Sequence, residues 1–504
     1  TVSGLSGAVV LQLNGAHDLT ITQNGSFTFT AEVAEGTTYE VTVRTHPSGQ
    51  FCAVTNASGT ANSNVSNVTV TGYNSGILDQ SFSTDGIQIY NDIYDGSDYG
   101  HDVAVDEDGK ILVVGEVVIA GNADMALWRY NTDGSLDTDF GSDGVVGYDS
   151  GYGDDGGYDL TLDSDGNILV VGWVTNASGN YDMALWRYTF EGILDTTFNS
   201  SGSVPGLATH NNAALGVGHD MGYRVVLTSA GKILIAGESE RSPGNADLAV
   251  WQYNANGTLD TAFGESAGVT TIDSTTGGVS GNDRGYGIAV DNDGKILVAG
   301  EGSNGVNYDM VLYRFTALGE VDTLFNGGLG YVLGYNTAGG TGATANDSGR
   351  AIALDNSGRI LVTGYSYTNA GIKDMVIWRY SSSGVLDSTF SGDGIVLSHN
   401  AAGGTGDTQG EALAIDASGR ILVTGFSRNP SLDYDMVIWR YTSTGILDTT
   451  FNSTGIVING YASGGSNIDF GESLALDTYG RIIVAGESQN SNGDFDMTVW
   501  RCYP

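Results

Sequence analysis

Proline, cysteine and basic residues are scarce in this chain. It contains five prolines, two cysteines, and 19 Lys and Arg against 59 Asp and Glu, which gives a formal net charge of −40. Nucleic acids and anionic lipid surfaces both need a basic footprint on the protein, so we expect neither as a partner. Two cysteines alone do not decide the redox compartment.

Long apolar runs and the common catalytic motifs are also missing. No stretch of about 18 apolar residues is present to span a bilayer. The sequence shows no G-x-S-x-G, H-E-x-x-H or P-loop motif, and it lacks the S-x-D-x-G-x-x-W boxes of sialidase-like propellers. Carboxylates are abundant enough for a glycosidase pair, but the pattern singles out no pair. We therefore expect a protein that is not an enzyme and needs no cofactor, with Ca²⁺ as the one candidate ion.

Glycine and aromatic residues, in contrast, are abundant, and they belong to a repeat. The 77 glycines and 10% aromatics suit short strands joined by tight turns. A motif such as KDMVIWRYSSSGVLDSTF, from Lys373, recurs seven times at spacings of 58 to 65 residues, a period typical of propellers, solenoids and arrays. The Asp that opens the motif is found at Asp124, Asp182, Asp247, Asp309, Asp374, Asp435 and Asp496.

The strands within each repeat favour a propeller. Every repeat contains four short apolar segments separated by DG, SG or similar turns, and four antiparallel strands make one propeller blade. The fourth-strand motif also appears ahead of the first repeat, as SGILDQSFSTDGIQI from Ser75, whereas the last repeat stops after its third strand at DMTVWRCYP. We predict an all-β chain with a seven-bladed β-propeller over residues 73–504, closed by an N-terminal strand (76–88) beside the strand of Trp500.

The pattern GKILVVG…ADMALWRYNTDGSLDTDFGSDG resembles the delta-60 repeat propellers of bacterial secreted and surface proteins. The resemblance covers about 85% of the chain, and it is specific because the pattern returns in every repeat. It implies a propeller fold and an extracellular or cell-surface setting, but it implies no chemistry. The start at Thr1, without Met, is also what removal of a leader would leave.

Residues 1–72 have a different pattern. Segments such as HDLTITQNGSFTFT and TYEVTVRTHPSGQFCAVTN alternate apolar and polar residues, which predicts a small β-sandwich. This part resembles bacterial immunoglobulin-like repeats that carry two cysteines, but the second cysteine is replaced here. Cys52 therefore lacks a partner in its own domain, and Cys502 stands where the other repeats have an aromatic residue. We predict a Cys52–Cys502 disulfide outside the cytosol, with two buried thiols as the alternative.

Two sets of repeated positions are candidates for a ligand-binding face. The loop before the first strand of each repeat carries an acidic residue, replaced in the sixth repeat by Thr408: Asp98, Asp155, Asp220, Asp283, Asp347 and Asp469. The end of the second strand varies between carboxylates and aromatic residues: Glu116, Trp173, Glu238, Glu301, Tyr365, Phe426 and Glu487. Such a surface suits Ca²⁺ or a sugar, while the alternative is that the Asp side chains cap turns.

Other repeated residues favour structural roles. The Trp of the motif is expected to fill the space between sheets, and the following Arg to pair with local carboxylates. If Ca²⁺ binds, we expect it on the face of Asp98, Asp155 and Glu116, and not at DG turns such as DEDGK, which lack the ligands of an EF-hand. His101 and His219, judged equivalent near the first strands, are expected to be ordinary surface or packing residues.

These patterns together indicate a secreted or cell-surface binding and structural protein. The propeller face and the immunoglobulin-like module would bind a protein or a polysaccharide at the cell surface. Two alternatives stay open: a self-assembling subunit of an extracellular filament or layer, and a lectin-like or polysaccharide-active propeller.

Overall fold

Strands account for nearly all the regular structure in this chain. The structure, a computed structural model, describes residues 1–91, 96–265, 267–273, 281–341 and 345–504. Within these ranges the one helical segment is a 3₁₀ turn at Phe325–Gly328. None of the described residues belongs to a helix long and apolar enough to cross a membrane. The chain is therefore all-β, as predicted.

The N-terminal part folds as two small sheets around one core. Its strands are β1 (Val2–Ser3), β2 (Val9–Leu13), β3 (His17–Ile21), β4 (Thr38–Thr45), β5 (Gln50–Thr55), β6 (Ser58–Thr60) and β7 (Thr69–Asn74). One sheet has the order β3-β2-β4-β6, and the other has the order β1-β7-β5 with β1 parallel to β7. Val9 and Leu11 from the first sheet pack with Cys52 and Val70 from the second.

The rest of the described chain forms seven units of four antiparallel strands, here called units 1 to 7 with strands A to D in each. The first strand after the small domain is β8 (Ile87–Tyr90). Units 1 to 3 are β9 (Asp98–Val105), β10 (Ile111–Ile119), β11 (Asn122–Tyr130) and β12 (Val145–Tyr148); β13 (Asp155–Leu162), β14 (Ile168–Thr175), β15 (Tyr181–Tyr188) and β16 (Leu207–His210); and β17 (Asp220–Leu227), β18 (Ile233–Ser242), β19 (Asn245–Tyr253) and β20 (Val269–Ile272).

The remaining units follow the same order. Units 4 to 6 are β21 (Asp283–Val290), β22 (Ile296–Ser303), β23 (Tyr308–Phe315) and β24 (Tyr331–Gly334); β25 (Asp347–Leu354), β26 (Ile360–Tyr367), β27 (Lys373–Tyr380) and β28 (Ile395–Ser398); and β29 (Thr408–Ile415), β30 (Ile421–Arg428), β31 (Tyr434–Tyr441) and β32 (Ile456–Asn459). Unit 7 contains β33 (Gly464–Leu476), β34 (Ile482–Asn490) and β35 (Phe495–Cys502), with β8 as its strand D.

The units form a closed ring. Each A strand contacts the A strand of the next unit, and β33 of unit 7 contacts β9 of unit 1. In the last unit β8 pairs with β35, so that Ile87 lies opposite Trp500. The architecture is that of a β-propeller in which a strand from the N-terminal side completes the C-terminal sheet.

The repeated Trp and Arg side chains hold neighbouring sheets together. Six Trp side chains are among the largest fully buried ones in the protein. The prediction that the following Arg pairs with local carboxylates is confirmed: in five units it contacts an Asp eight residues later, as in Arg129–Asp137 at 2.6 Å. In unit 7 the partner comes from the other end of the chain, because Arg501 contacts Asp79 at 2.8 Å. The ion pair thus repeats the packing of the other units and closes the ring at the same time.

The predicted Cys52–Cys502 disulfide is wrong, since both cysteines are free and buried. Their sequence neighbours form the contact between the two domains: the rings of Phe51 and Tyr503 stack with centroids 5.4 Å apart, and Tyr73 stacks on Tyr503 at 4.4 Å. Successive side chains of a strand point to opposite faces, so each cysteine turns away from this contact and into its own core. Aromatic stacking, and not a covalent bond, holds the C-terminus to the small domain.

Two free thiols should be detected in the protein after unfolding without reductant. In the native protein we expect slow reaction with iodoacetamide, because burial raises the pKa of Cys52 to about 11 and that of Cys502 to about 12. Mass spectrometry of the unfolded, unreduced protein should show two labels. A protein that takes up no label until a reductant is added would contradict the structure.

Substitution of Asp79 should destabilise the propeller strongly. Asp79 is fully buried and contacts both Arg501 and Arg481, so Asp79→Ala would leave a buried guanidinium without its partner. We expect a loss of about 3–5 kcal/mol in the free energy of unfolding, measured by denaturant titration. Asp18→Ala, which removes the carboxylate partner of the exposed Arg44, is the control and should cost less than about 1 kcal/mol. Equal losses in the two variants would refute a special role for the closing ion pair.

Candidate functional site

Each A strand contains a bulge at one fixed position. In the pairing of strands A and B, the register skips the residue that follows the D-x-G or equivalent triplet, as at His101 between Gly100 and Asp102. The other units show the same shift. The seven skipped residues, here called the axial ring, are His101, Tyr158, Tyr223, Tyr286, Arg350, Glu411 and Glu472.

A glycine in strand B makes the bulge geometrically feasible. A Cβ atom on this glycine would lie 1.8–2.0 Å from a backbone oxygen of strand A, for example 1.9 Å from Tyr99 O at Gly115. No other residue fits this close approach. The glycine recurs in every unit, at Gly115, Gly172, Gly237, Gly300, Gly364, Gly425 and Gly486.

Each of these glycines is followed by one of the seven candidate residues at the end of strand B, where the sequence alternates between carboxylates and aromatic residues. These seven residues, from Glu116 to Glu487, are here called the rim. Rim and ring side chains of the same unit contact each other. His101 Nε2 lies 3.4 Å from Glu116 Oε1, the Tyr223 hydroxyl donates to Glu238 at 2.9 Å, and the Tyr286 hydroxyl donates to Glu301 at 3.2 Å. The structure therefore joins the predicted rim to a ring of side chains that the sequence analysis did not identify.

Units 1 to 4 supply an arc of aromatic rings. Tyr158 has its ring centroid 5.4 Å from that of His101 and 5.2 Å from that of Tyr223, which in turn lies 5.2 Å from Tyr286. Trp173 on the rim packs on Tyr158 at 4.6 Å. Unit 2 accommodates this indole with a glycine, because a Cβ at Gly156 would lie 1.9 Å from the Trp173 ring.

Units 6 and 7 supply carboxylic acids. Burial, followed by the charge of nearby Glu411, raises the pKa of Glu472 to about 7. Burial and the charges of Glu472 and Glu411 also raise the pKa of Glu487 well above its usual range. The Oε2 atom of Glu487 is buried without a hydrogen-bond partner among the described residues. This side of the ring can therefore hold protons near neutral pH and donate them in hydrogen bonds.

Basic residues complete the site and form its floor. Arg284 lies between Glu238 and Glu301, with N–O distances of 2.5 and 3.0 Å. One residue beyond the ring, Arg224 reaches across from unit 3 to Asp159 at 2.9 Å and Asp102 at 3.4 Å. This ion network links units 1, 2 and 3 below the axial ring.

The predicted ring of Asp residues lies apart from the axial ring. Asp155, Asp220, Asp347 and Asp469 are buried, and each accepts hydrogen bonds from backbone amides of the loop that enters its own A strand. Thr408 takes this place in unit 6. Asp98 and Asp283 are equally buried. The geometry of the hydrogen-bonded members supports the turn-capping alternative.

Carboxylates also meet outside the axis. Among the described residues, Asp124, Asp149 and Asp155 bring oxygens within 4.8 Å of one another, and burial with the charges of Asp149 and Asp155 raises the pKa of Asp124 to about 6. The DG turns behave as turns, since Asp106 Oδ1 accepts from the amides of Asp108 and Lys110. Binding of Ca²⁺ stays a prediction.

Two residues judged equivalent in the sequence are not equivalent in space. His101 belongs to the axial ring, whereas His219 precedes Asp220 at the start of β17, where its Nδ1 accepts a hydrogen bond from the Tyr181 amide. An alignment of all units on the D-x-G or equivalent triplet shows that the residue after the triplet varies in charge and chemistry, and this variation is the signal in the sequence that could have pointed to the ring. Contacts between units are what show that these side chains meet.

Comparison with protein families supports a propeller repeat. The family described as "Domain of unknown function (DUF5122) beta-propeller" matches residues 107–140, 164–198, 229–263, 292–325 and 356–390. These five segments each run from the turn after strand A to the end of the LDxxF-type motif. No curated protein matches the chain.

Several solved structures are similar to this chain at low sequence identity. A protein of unknown function from Dyadobacter fermentans DSM 18053 is 11% identical, with 83% of this chain and 98% of that chain covered and a TM-score of 0.42. The polysaccharide lyase Uly1 is 12% identical, with 85% and 96% covered and a TM-score of 0.47. A glucose dehydrogenase is 10% identical, with 82% and 99% covered and a TM-score of 0.38.

The prediction that the protein is not an enzyme, which rests on the missing catalytic motifs, is wrong as it stands. The solved structures to which the chain is similar at low identity include a polysaccharide lyase, a glucose dehydrogenase and a luciferin-regenerating enzyme. The absence of known catalytic motifs from the sequence therefore does not exclude catalysis on this scaffold.

Ionisation of Glu472 should make the free energy of unfolding depend on pH. Its folded pKa of about 7 lies above the ordinary value of 4.5, so the ionised form destabilises the fold, and this cost grows as pH rises from 4.5 to about 7. We expect Glu472→Gln to be more stable than the parent protein by about 2 kcal/mol at pH 8, with the difference shrinking towards pH 4.5. Glu107→Gln, at an exposed turn, is the control. A difference that does not change with pH would contradict this assignment.

Proposed function

We propose that the chain is an extracellular or cell-surface binding protein that holds a saccharide at the axis of a seven-bladed β-propeller. The seven four-stranded units and the contact between β33 and β9 support the blade count. The two sheets around one core support an immunoglobulin-like assignment for the N-terminal domain. The extracellular setting is supported by the resemblance to delta-60 repeats of secreted and surface proteins.

The observation that carries the proposal is the loss of symmetry at the axial ring. The Asp that caps the loop and the glycine that permits the bulge repeat in nearly every unit. The ring position instead holds one His, three Tyr, one Arg and two Glu. Because these side chains lie together at the axis and differ in charge and shape, a ligand bound there would contact chemically distinct sides.

The chemistry of the ring and rim suits a saccharide. Aromatic rings such as Tyr158, Trp173 and Tyr223 offer flat apolar surfaces against which a sugar ring can pack. Carboxylates and guanidinium groups beside them can accept from and donate to sugar hydroxyls. Tyr158 and Tyr223 are partly exposed, so the arc is accessible to solvent.

Substitutions in the aromatic arc and on the rim should weaken saccharide binding. The parent protein would first be screened on an array of defined neutral and acidic oligosaccharides, and the best ligand titrated by calorimetry. Tyr158→Ala and Glu238→Gln should each lower the affinity by about tenfold or more. Tyr479→Ala, at an exposed tyrosine in the turn between strands A and B of unit 7, is the control and should leave the affinity unchanged.

Two outcomes would contradict this proposal. One is that no oligosaccharide is retained by the folded parent protein. The other is that a bound oligosaccharide keeps its affinity in both Tyr158→Ala and Glu238→Gln. Mass spectrometry of the same incubations would show whether the ligand is also cleaved.

A further inference from the structure

Unit 5 places two basic side chains at positions where no other unit has Arg or Lys. Arg350 is the axial-ring residue of this unit, and Lys373 is the first residue of its strand C. The residues that correspond to Lys373 are Ala123, Tyr181, Ala246, Tyr308, Tyr434 and Phe495. The two cations therefore mark one sector of the axis.

Tyrosine rings hold both cations at this site. The guanidinium carbon of Arg350 lies 4.3 Å from the ring centroid of Tyr286 and 5.5 Å from that of Tyr365. The Nζ atom of Lys373 lies 4.3 Å from the same Tyr365 ring. Attraction to the ring faces fixes the charges without occupying all of their hydrogen-bond donors.

Within the described part of the chain, almost all the other Lys and Arg side chains have a close carboxylate partner, and Arg350 and Lys373 do not. Of the 19 Lys and Arg residues, 16 have a carboxylate oxygen within 3.3 Å. Among the described residues, the nearest carboxylate oxygen to Arg350 is Glu411 Oε2, at 4.0 Å from Nε, and this Nε has no hydrogen-bond partner. Lys373 donates to the neutral amide oxygen of Gln409 at 2.7 Å.

Arg428 is the third basic residue without a carboxylate oxygen within 3.3 Å in the described ranges, and its side chain binds a loop carbonyl instead. Arg428 donates from Nε to the Leu432 carbonyl at 2.8 Å, at the end of strand B in unit 6. Arg350 and Lys373 are thus the two basic side chains that face the axial site without a close carboxylate. In a chain with 59 acidic residues, such a pair of cations is not a consequence of composition.

We propose that the ligand of the axial site is an acidic saccharide whose anionic group binds Arg350 and Lys373. A guanidinium group matches a planar anion with two parallel N–H donors, and the neighbouring ammonium adds a second charge. The sugar ring would then extend over the aromatic arc of Tyr286, Tyr223 and Tyr158. Glu472 and Glu487 in unit 7 would repel a second anionic group. This inference rests on the proposed saccharide-binding function and specifies its ligand class.

The test compares acidic and neutral oligosaccharides of equal length. Calorimetric titrations would use trigalacturonate, a sulfated galactotriose and neutral galactotriose, so that carboxylate and sulfate are distinguished as the anionic group. The parent protein should bind at least one acidic trisaccharide about tenfold or more tightly than the neutral one. Arg350→Gln should abolish this preference, Lys373→Gln should reduce it, and Arg350→Lys should restore part of it.

A matched control separates local from general charge effects. Arg359→Gln removes an arginine from the turn between strands A and B of the same unit, where it pairs with Asp355 at 2.5 Å. This variant should keep the full preference, and thermal melts would verify that all variants are folded.

The outcomes separate this inference from the proposed function. Equal affinity of the parent protein for acidic and neutral trisaccharides, or a preference that survives in Arg350→Gln, would overturn the acidic-ligand assignment while leaving saccharide binding intact. Failure of every saccharide to bind would overturn both. Binding of an acidic peptide in place of the saccharides, with loss in Arg350→Gln, would also overturn the assignment to a sugar.

Discussion

The approach of a backbone carbonyl in strand A to a glycine in strand B determines the geometry at the axis. At 1.8–2.0 Å from the position of a Cβ, the carbonyl excludes every side chain from that glycine and permits a one-residue bulge opposite it. The bulged residue is released from the pairing register. Its side chain can then vary without any change in the sheet, which is why chemistry as different as Tyr223, Arg350 and Glu472 occupies the same structural position.

Closure of the ring supplies the rigidity that such a site needs. The last unit borrows β8 from the N-terminal side, and the buried pair of Asp79 and Arg501 takes the place of the within-unit pairs. The ring of Phe82 packs below the Arg501 guanidinium at 4.6 Å, as the corresponding Phe does in other units. Because strands from both ends of the propeller lie in one sheet, separation of the units requires breaking that sheet, and the side chains facing the axis stay in fixed positions.

The axial site combines three kinds of side chain in separate sectors. Aromatic rings follow one another through units 1 to 4, and two cations without a carboxylate oxygen closer than 4.0 Å among the described residues lie in unit 5. Carboxyl groups lie in units 6 and 7, and burial raises the pKa of Glu472 and Glu487 in unit 7. The ion network of Arg224, Asp102 and Asp159 lies beneath them. The three sectors differ in chemistry, so a bound molecule would adopt one orientation. The strong negative charge of the whole chain makes the local positive sector more informative than it would be in a neutral protein.

The sequence by itself determined the all-β class, the repeat, the strands within each unit and the Arg–Asp pairs, because all of these depend on periodic local patterns. It also identified the rim residues, such as Glu116 and Trp173, since each follows a recognisable glycine. It did not determine the axial ring. The ring residues face the axis because a bulge shifts the pairing of strands A and B, and this shift exists only in the folded sheet. The disulfide prediction failed for a related reason: the sequence showed two unmatched cysteines, but strand direction turned Cys52 and Cys502 into separate cores and brought Phe51 and Tyr503 together. Apart from the strand pairing that closes the ring, which the sequence predicted, contacts between residues far apart in the chain depend on how the sheets close around the axis, and the tertiary structure alone decided them.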